Sequence, residues 1–133
     1  MGLVGYSIGR VHTHAWLNMP LFYYPPPAQP VLAAVCGRNP ERVRAFAEKF
    51  GYKQSYVNGR ELVNDPNVDV IDICTPPYLH SEPSILAFES GKHVICEKPL
   101  ARTGQEARAM LRAAERSGTK HMTAFNYRFI PAV

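Results

Sequence analysis

The apolar and polar positions of this chain form short hydrophobic runs separated by segments with helical spacing. Met1–Gly5 is an apolar run ending in glycine and predicts a buried strand. Gly9–Asn18 predicts a helix closed by Pro20. Residues 20–30 carry Pro20, Pro25, Pro26, Pro27 and Pro30, which predicts a loop with an aromatic lip of Phe22, Tyr23 and Tyr24. Val31–Cys36 predicts a second buried strand. Asn39 reads as a helix N-cap, with Pro40 at the first helical position and Glu41 in the first turn. Val43, Phe46, Ala47 and Phe50 then give one apolar face, and Gly51 stops the helix. A weak strand over Gln54–Val57 and a short helix over Arg60–Asn64 follow. Val68–Cys74, rich in β-branched residues, is the strongest strand. Ser81–Ser90 reads as a helix stopped by Gly91, and His93–Cys96 as a strand. Thr103 and Glu106 have the spacing of a capping box. Ala107, Met110, Leu111 and Ala114 form the next apolar face, Gly118 ends it, and Lys120–Phe125 is the last strand.

Apolar strands alternating with amphipathic helices predict an α/β fold, a doubly wound parallel sheet with helices on both faces. The length of 133 residues fits one domain of roughly 100–150. With 46% hydrophobic and 20% charged residues the chain is an ordinary globular one. The formal net charge of +4 comes from scattered basic residues, so no nucleic-acid surface is expected. Cys36, Cys74 and Cys96 are odd in number and lack a Cys-x-x-Cys pair, which argues against a disulfide framework or structural zinc. Free thiols suit a reducing, cytoplasmic setting. His12 and His14 stand two apart on a helix and face different ways, so no metal is assigned. No apolar run approaches the roughly 20 residues of a membrane span.

Doubly wound sheets bind ligands outside the carboxyl ends of their strands. The first strand is followed by Gly5-Tyr6-Ser7-Ile8-Gly9. Such a turn lets backbone N–H groups meet a pyrophosphate at a helix N-terminus. The G-x-G-x-x-G fingerprint is matched defectively: Ser7 stands at the second glycine position, and the third glycine arrives one residue early, at Gly9. An ordinary tight turn is the alternative. The second strand is followed by Gly37-Arg38 in place of an acidic residue for a ribose 2′-hydroxyl. Arginine after a small residue suits a 2′-phosphate, which favours NADP over NAD; otherwise Arg38 is a solvated arginine near a helix start. The fourth strand leads to Thr75-Pro76-Pro77 and to His80, which is either a site residue or a packing one. The fifth leads to Glu97-Lys98-Pro99, where Lys98 is either a general acid/base or half of a surface ion pair. The sixth leads to Asn126-Tyr127-Arg128-Phe129, which lines a cleft or covers the sheet end.

In this order the motifs resemble the N-terminal domain of the glucose–fructose oxidoreductase / inositol dehydrogenase / MocA (Gfo/Idh/MocA) family, most specifically over Gly91–Leu100. The resemblance implies a Rossmann-type fold and hydride transfer between NAD(P) and sugars, inositols or related polyols. It implies that Lys98 is catalytic and that Gly5, Tyr6, Ser7, Ile8 and Gly9 hold the pyrophosphate. It implies further that Thr75, Pro76 and His80 line the cofactor groove and that Asn126 to Arg128 lies near the cleft; with the strand-end residues Gly37, Arg38 and Glu97, and with Asn126 and Arg128, these make up the expected cofactor-binding set. Residues 1–125 would then be the nucleotide-binding domain. Residues 126–133 would begin the connection to a C-terminal substrate domain, the half through which family members commonly form homo-oligomers. A chain without that half should turn over little by itself. Two other readings stay open: a stand-alone dinucleotide-binding or regulatory module, and an inactive truncated remnant.

Overall fold

The computed structural model describes residues 1–131. Six strands form one parallel sheet: β1 (Gly2–Val4), β2 (Ala34–Cys36), β3 (Gln54–Tyr56), β4 (Val70–Ile73), β5 (His93–Cys96) and β6 (His121–Thr123). Their spatial order is β3-β2-β1-β4-β5-β6. The order reverses between β1 and β4, and a switch of this kind opens a crevice at the strand ends.

Five helices make the crossovers: α1 (Tyr6–Phe22), α2 (Pro40–Phe50), α3 (Gly59–Asn64), α4 (Ser81–Glu89) and α5 (Gly104–Ser117). Alternation along the strands splits the core in two. Leu3, Val35 and Cys74 pack with Trp16 of α1 and with Val43, Phe46 and Ala47 of α2. Val4, Ala34, Ile71, Ile73 and Val94 pack with Leu62, Ala87, Phe88, Met110 and Ala114 from α3, α4 and α5. Within the α5 face expected from spacing, Leu111 is instead half exposed.

The caps explain most boundaries. The Asn39 side chain accepts the Arg42 N–H at 2.9 Å, and Gly51 closes α2 in the left-handed region at φ 80°. Thr103 Oγ1 accepts the Glu106 N–H at 3.1 Å, but Glu106 reaches back to the N–H of Arg102, not of Thr103, and so completes the box one residue early.

One helix departs from expectation. α1 starts at Tyr6 rather than Gly9 and runs through Pro20 to Phe22. With one residue missing from the glycine turn, the helix begins directly after Gly5. Pro20 lacks only its own N–H, and this loss falls in the helix's last turns, where Tyr23 N–H still bonds the Met19 carbonyl at 3.1 Å. The proline-rich loop therefore starts after Phe22.

Candidate functional site at the carboxyl edge of the sheet

The strand ends are level with one another. Gly5 N–H donates to the Cys36 carbonyl (3.0 Å), Cys74 N–H to Val4 (2.8 Å), Glu97 N–H to Ile73 (2.9 Å) and Ala124 N–H to Cys96 (2.8 Å). The residues that follow each strand therefore share one edge.

Gly5 adopts φ 90°, and a Cβ there would lie 2.8 Å from the Cys74 carbonyl oxygen. Only glycine fits between β1 and β4 at this point. No side chain caps α1, so the N–H groups of its first turn, from Tyr6, Ser7 and Ile8, are left for a ligand. Gly9 does not belong to this turn. It is buried in α1 against Leu3, whose methyl groups would lie 2.9 Å from an added Cβ. Its part is close helix–strand packing.

Gly37 is equally constrained, for a Cβ there would overlap the Tyr6 ring. Tyr6 also packs against Phe46, with ring centroids 5.6 Å apart. An acidic residue at position 37 is sterically excluded while Tyr6 holds this place. Arg38 is exposed beside it.

His80 does not line the groove. It is fully buried, with Nε2 on the Thr75 carbonyl (2.7 Å) and Nδ1 on the Pro99 carbonyl (3.0 Å). The ring ties the turn after β4 to the turn after β5. Thr75 is partly buried and Pro76 exposed. The Lys98–Pro99 peptide is cis. The Lys98 side chain is exposed and, among the described residues, has no ion-pair partner. The surface pair with Glu97 does not form. Asn126 and Arg128 are exposed on a 3-10 turn, Asn126–Phe129, at the same edge.

Sequence reasoning missed the cluster under this edge. His12 Nε2 meets Glu97 Oε1 at 3.0 Å, and its Nδ1 meets Asp72 Oδ1 at 3.0 Å. Trp16 Nε1 donates to Asp72 Oδ2 at 2.8 Å, and the Cys74 thiol donates to Oδ1 at 3.5 Å. The Asp72 hydrogen bond, with the negative charges of Asp72 and Glu97, pushes His12 up to about 9, against the opposing effect of burial. The signal for this cluster was Asp72 itself. A buried acid in an apolar strand needs partners, and His12 and Trp16, four apart, share one face of α1.

The histidine ring, Asp72 and Cys74 place ligand atoms within 4.8 Å of one another. His12 nevertheless spends both nitrogens on carboxylates, and burial pushes the Cys74 thiol well up, away from the metal-binding thiolate. Burial likewise pushes Cys36 up to about 11 and Cys96 up to about 12. A cavity of about 540 Å³ opens at the opposite edge, beside Met1, Trp16, Gln29 and Asp69, and none of the expected site residues lines it.

Comparison with known proteins follows the same lines. A family model described as "Oxidoreductase family, NAD-binding Rossmann fold" matches residues 1–125. The chain is 46% identical to levoglucosan dehydrogenase of Pseudarthrobacter phenanthrenivorans, over 100% of this chain and 34% of that protein. It is 35% identical to scyllo-inositol 2-dehydrogenase (NADP(+)) of Bacillus subtilis, over 75% of this chain and 30% of the relative. A solved levoglucosan dehydrogenase in complex with NADH and L-sorbose superposes with a TM-score of 0.92 at 46% identity, covering 96% of this chain and 34% of that one. The chain thus spans about a third of the length of these relatives.

Proposed function

The chain belongs to the Gfo/Idh/MocA oxidoreductase family as its NAD-binding Rossmann domain, and from this we propose that it serves a dehydrogenase acting on a small sugar or polyol. The observation that carries the reading is the edge itself. An uncapped helix start, a glycine with no room for a side chain and an unpaired lysine stand level on one side of the switch point.

The first-turn N–H groups of Tyr6, Ser7 and Ile8 hold the pyrophosphate, helped by the positive end of α1. Gly5 keeps the path to them open. Thr75 and Pro76 line the groove, and His80 supports it from below. Glu97 orients the lysine turn, and Asn126 and Arg128 border the cleft. Residues 126–133 lead into the substrate domain. The nicotinamide supplies hydride chemistry when bound. Lys98 handles the hydroxyl proton. A lysine ordinarily titrates near about 10.4, so this step needs an ammonium without a carboxylate partner and beside a cationic ring. The first condition holds among the described residues of this chain; the second is met only with the cofactor bound in a site closed by the substrate domain, and the chain alone should turn over little.

Within the NAD(P) class, Gly37 and Arg38 favour NADPH. Position 37 carries no acid to bond a 2′-hydroxyl and could take one only by displacing the Tyr6 ring, and Arg38 is free to fork onto a 2′-phosphate. The relative solved with NADH is the counterweight. Calorimetric titration of this chain with NADPH and NADH tests both levels. Binding of both, with NADPH tighter and Arg38→Ala removing the difference, is expected. Tighter NADH would overturn the preference. Failure of a folded chain to bind either would overturn cofactor binding and favour an inactive remnant.

A further inference from the structure

A carboxylate next to a lysine in sequence is free to pair with its ammonium, which favours the charged amine. Glu97 is not used in this way. Its Oε1 lies 3.0 Å from His12 Nε2, and its Oε2 accepts the Lys98 backbone N–H at 2.8 Å. Both carboxylate oxygens are occupied, and neither is on the Lys98 side chain. The other face of the His12 ring is anchored on Asp72, which is fully buried and also holds Trp16 Nε1. The anchor therefore sits on β4 and α1, outside the turn it controls.

We infer that His12 is a positioning residue: it draws the Glu97 carboxylate off the Lys98 ammonium and onto the Lys98 backbone, which fixes the turn and leaves the amine unpaired. A ring with a carboxylate at each nitrogen donates from both, and so acts as the imidazolium. The inference rests on the reading of Lys98 as the proton-transfer group. The groups facing the ring are Asp72 from β4, Cys74 just after it and Glu97 just after β5, with Tyr52 beyond them on Thr13 of α1.

The test is NMR on the labelled 133-residue chain. The His12 ring should titrate with a midpoint near 9, and the Glu97 side-chain carboxyl-carbon resonance should report that same step through the contact. In His12→Gln the carboxyl step should vanish, and the Lys98 amide should exchange about tenfold faster at neutral pH, as expected for one lost hydrogen bond. Lys98→Met should leave both signals as they are, because the contact runs through the backbone. A Glu97 resonance that does not follow His12, or an unchanged Lys98 amide in folded His12→Gln, would overturn the inference. Should His12→Gln not fold, the pH series on the unsubstituted chain decides alone. Whether Lys98 moves the proton is read separately, from turnover of Lys98→Met in a chain that carries the substrate domain.

Discussion

A histidine held between two carboxylates should weaken this domain in base. His12 titrates higher folded than unfolded, so its contribution is complete below about pH 6.5 and is lost as pH rises through about 9. Discounted for screening at a ring that keeps 18% exposure, this amounts to roughly 2 kcal/mol. Urea midpoints should fall between these two pH values, whereas His12→Gln should start lower and stay flat. An equal decline in both proteins would assign the pH dependence to another group. The second residue-scale prediction concerns Gly37. Asp at this position displaces the Tyr6 ring from its place beside Phe46 and should cost about 1–3 kcal/mol. In a Tyr6→Ala background the cost should shrink, and a double-mutant cycle measures the coupling.

At the scale of elements, the caps and the strand-end turns bear the load. Thr103→Ala removes the acceptor for the Glu106 N–H and should lower stability by about 1 kcal/mol in urea unfolding. Gly5→Ala forces a Cβ onto the Cys74 carbonyl at a φ that disfavours side chains. It should cost at least about 2 kcal/mol and should also abolish cofactor binding in calorimetry. Most elements were legible because their signals are local: Asn39, Gly51, Thr103 and Gly118 end helices by chemistry that lies within four residues. The misread start of α1 has the opposite origin. A fingerprint shortened by one residue looks like a loop until the helix is seen to begin straight after Gly5. His12 was illegible as a site residue because its partners lie 60 and 85 residues away. No local pattern announces such a pair. Similarly, the sequence left His80 as either a site or a packing residue, and only the packed turns show that both its nitrogens are spent on carbonyls.

At the scale of the whole molecule, the domain is not apolar only inside. Phe22 is 81% exposed, Tyr24 92% and Phe129 74%. Tyr127 and Ile130 add to the surface near the end of the described chain. Large apolar side chains exposed in such number are candidates for contact with a partner surface. Replacing Tyr127 and Phe129 with serine should lower binding of a hydrophobic dye without moving the urea midpoint. Unchanged fluorescence would locate the sticky surface elsewhere, with the lip at Phe22–Tyr24 the next to test. The strand order has a further consequence, for time rather than for space. β1 is made first, yet its second neighbour, β4, is more than sixty residues downstream. A chain emerging from the ribosome holds half a crevice until β4 pairs, and the His12 clamp cannot close until Glu97 has followed. Contacts this distant form late in folding. Removing the clamp should therefore speed unfolding and leave the folding rate almost untouched, so that the histidine acts as a latch on a finished sheet and takes no part in its assembly.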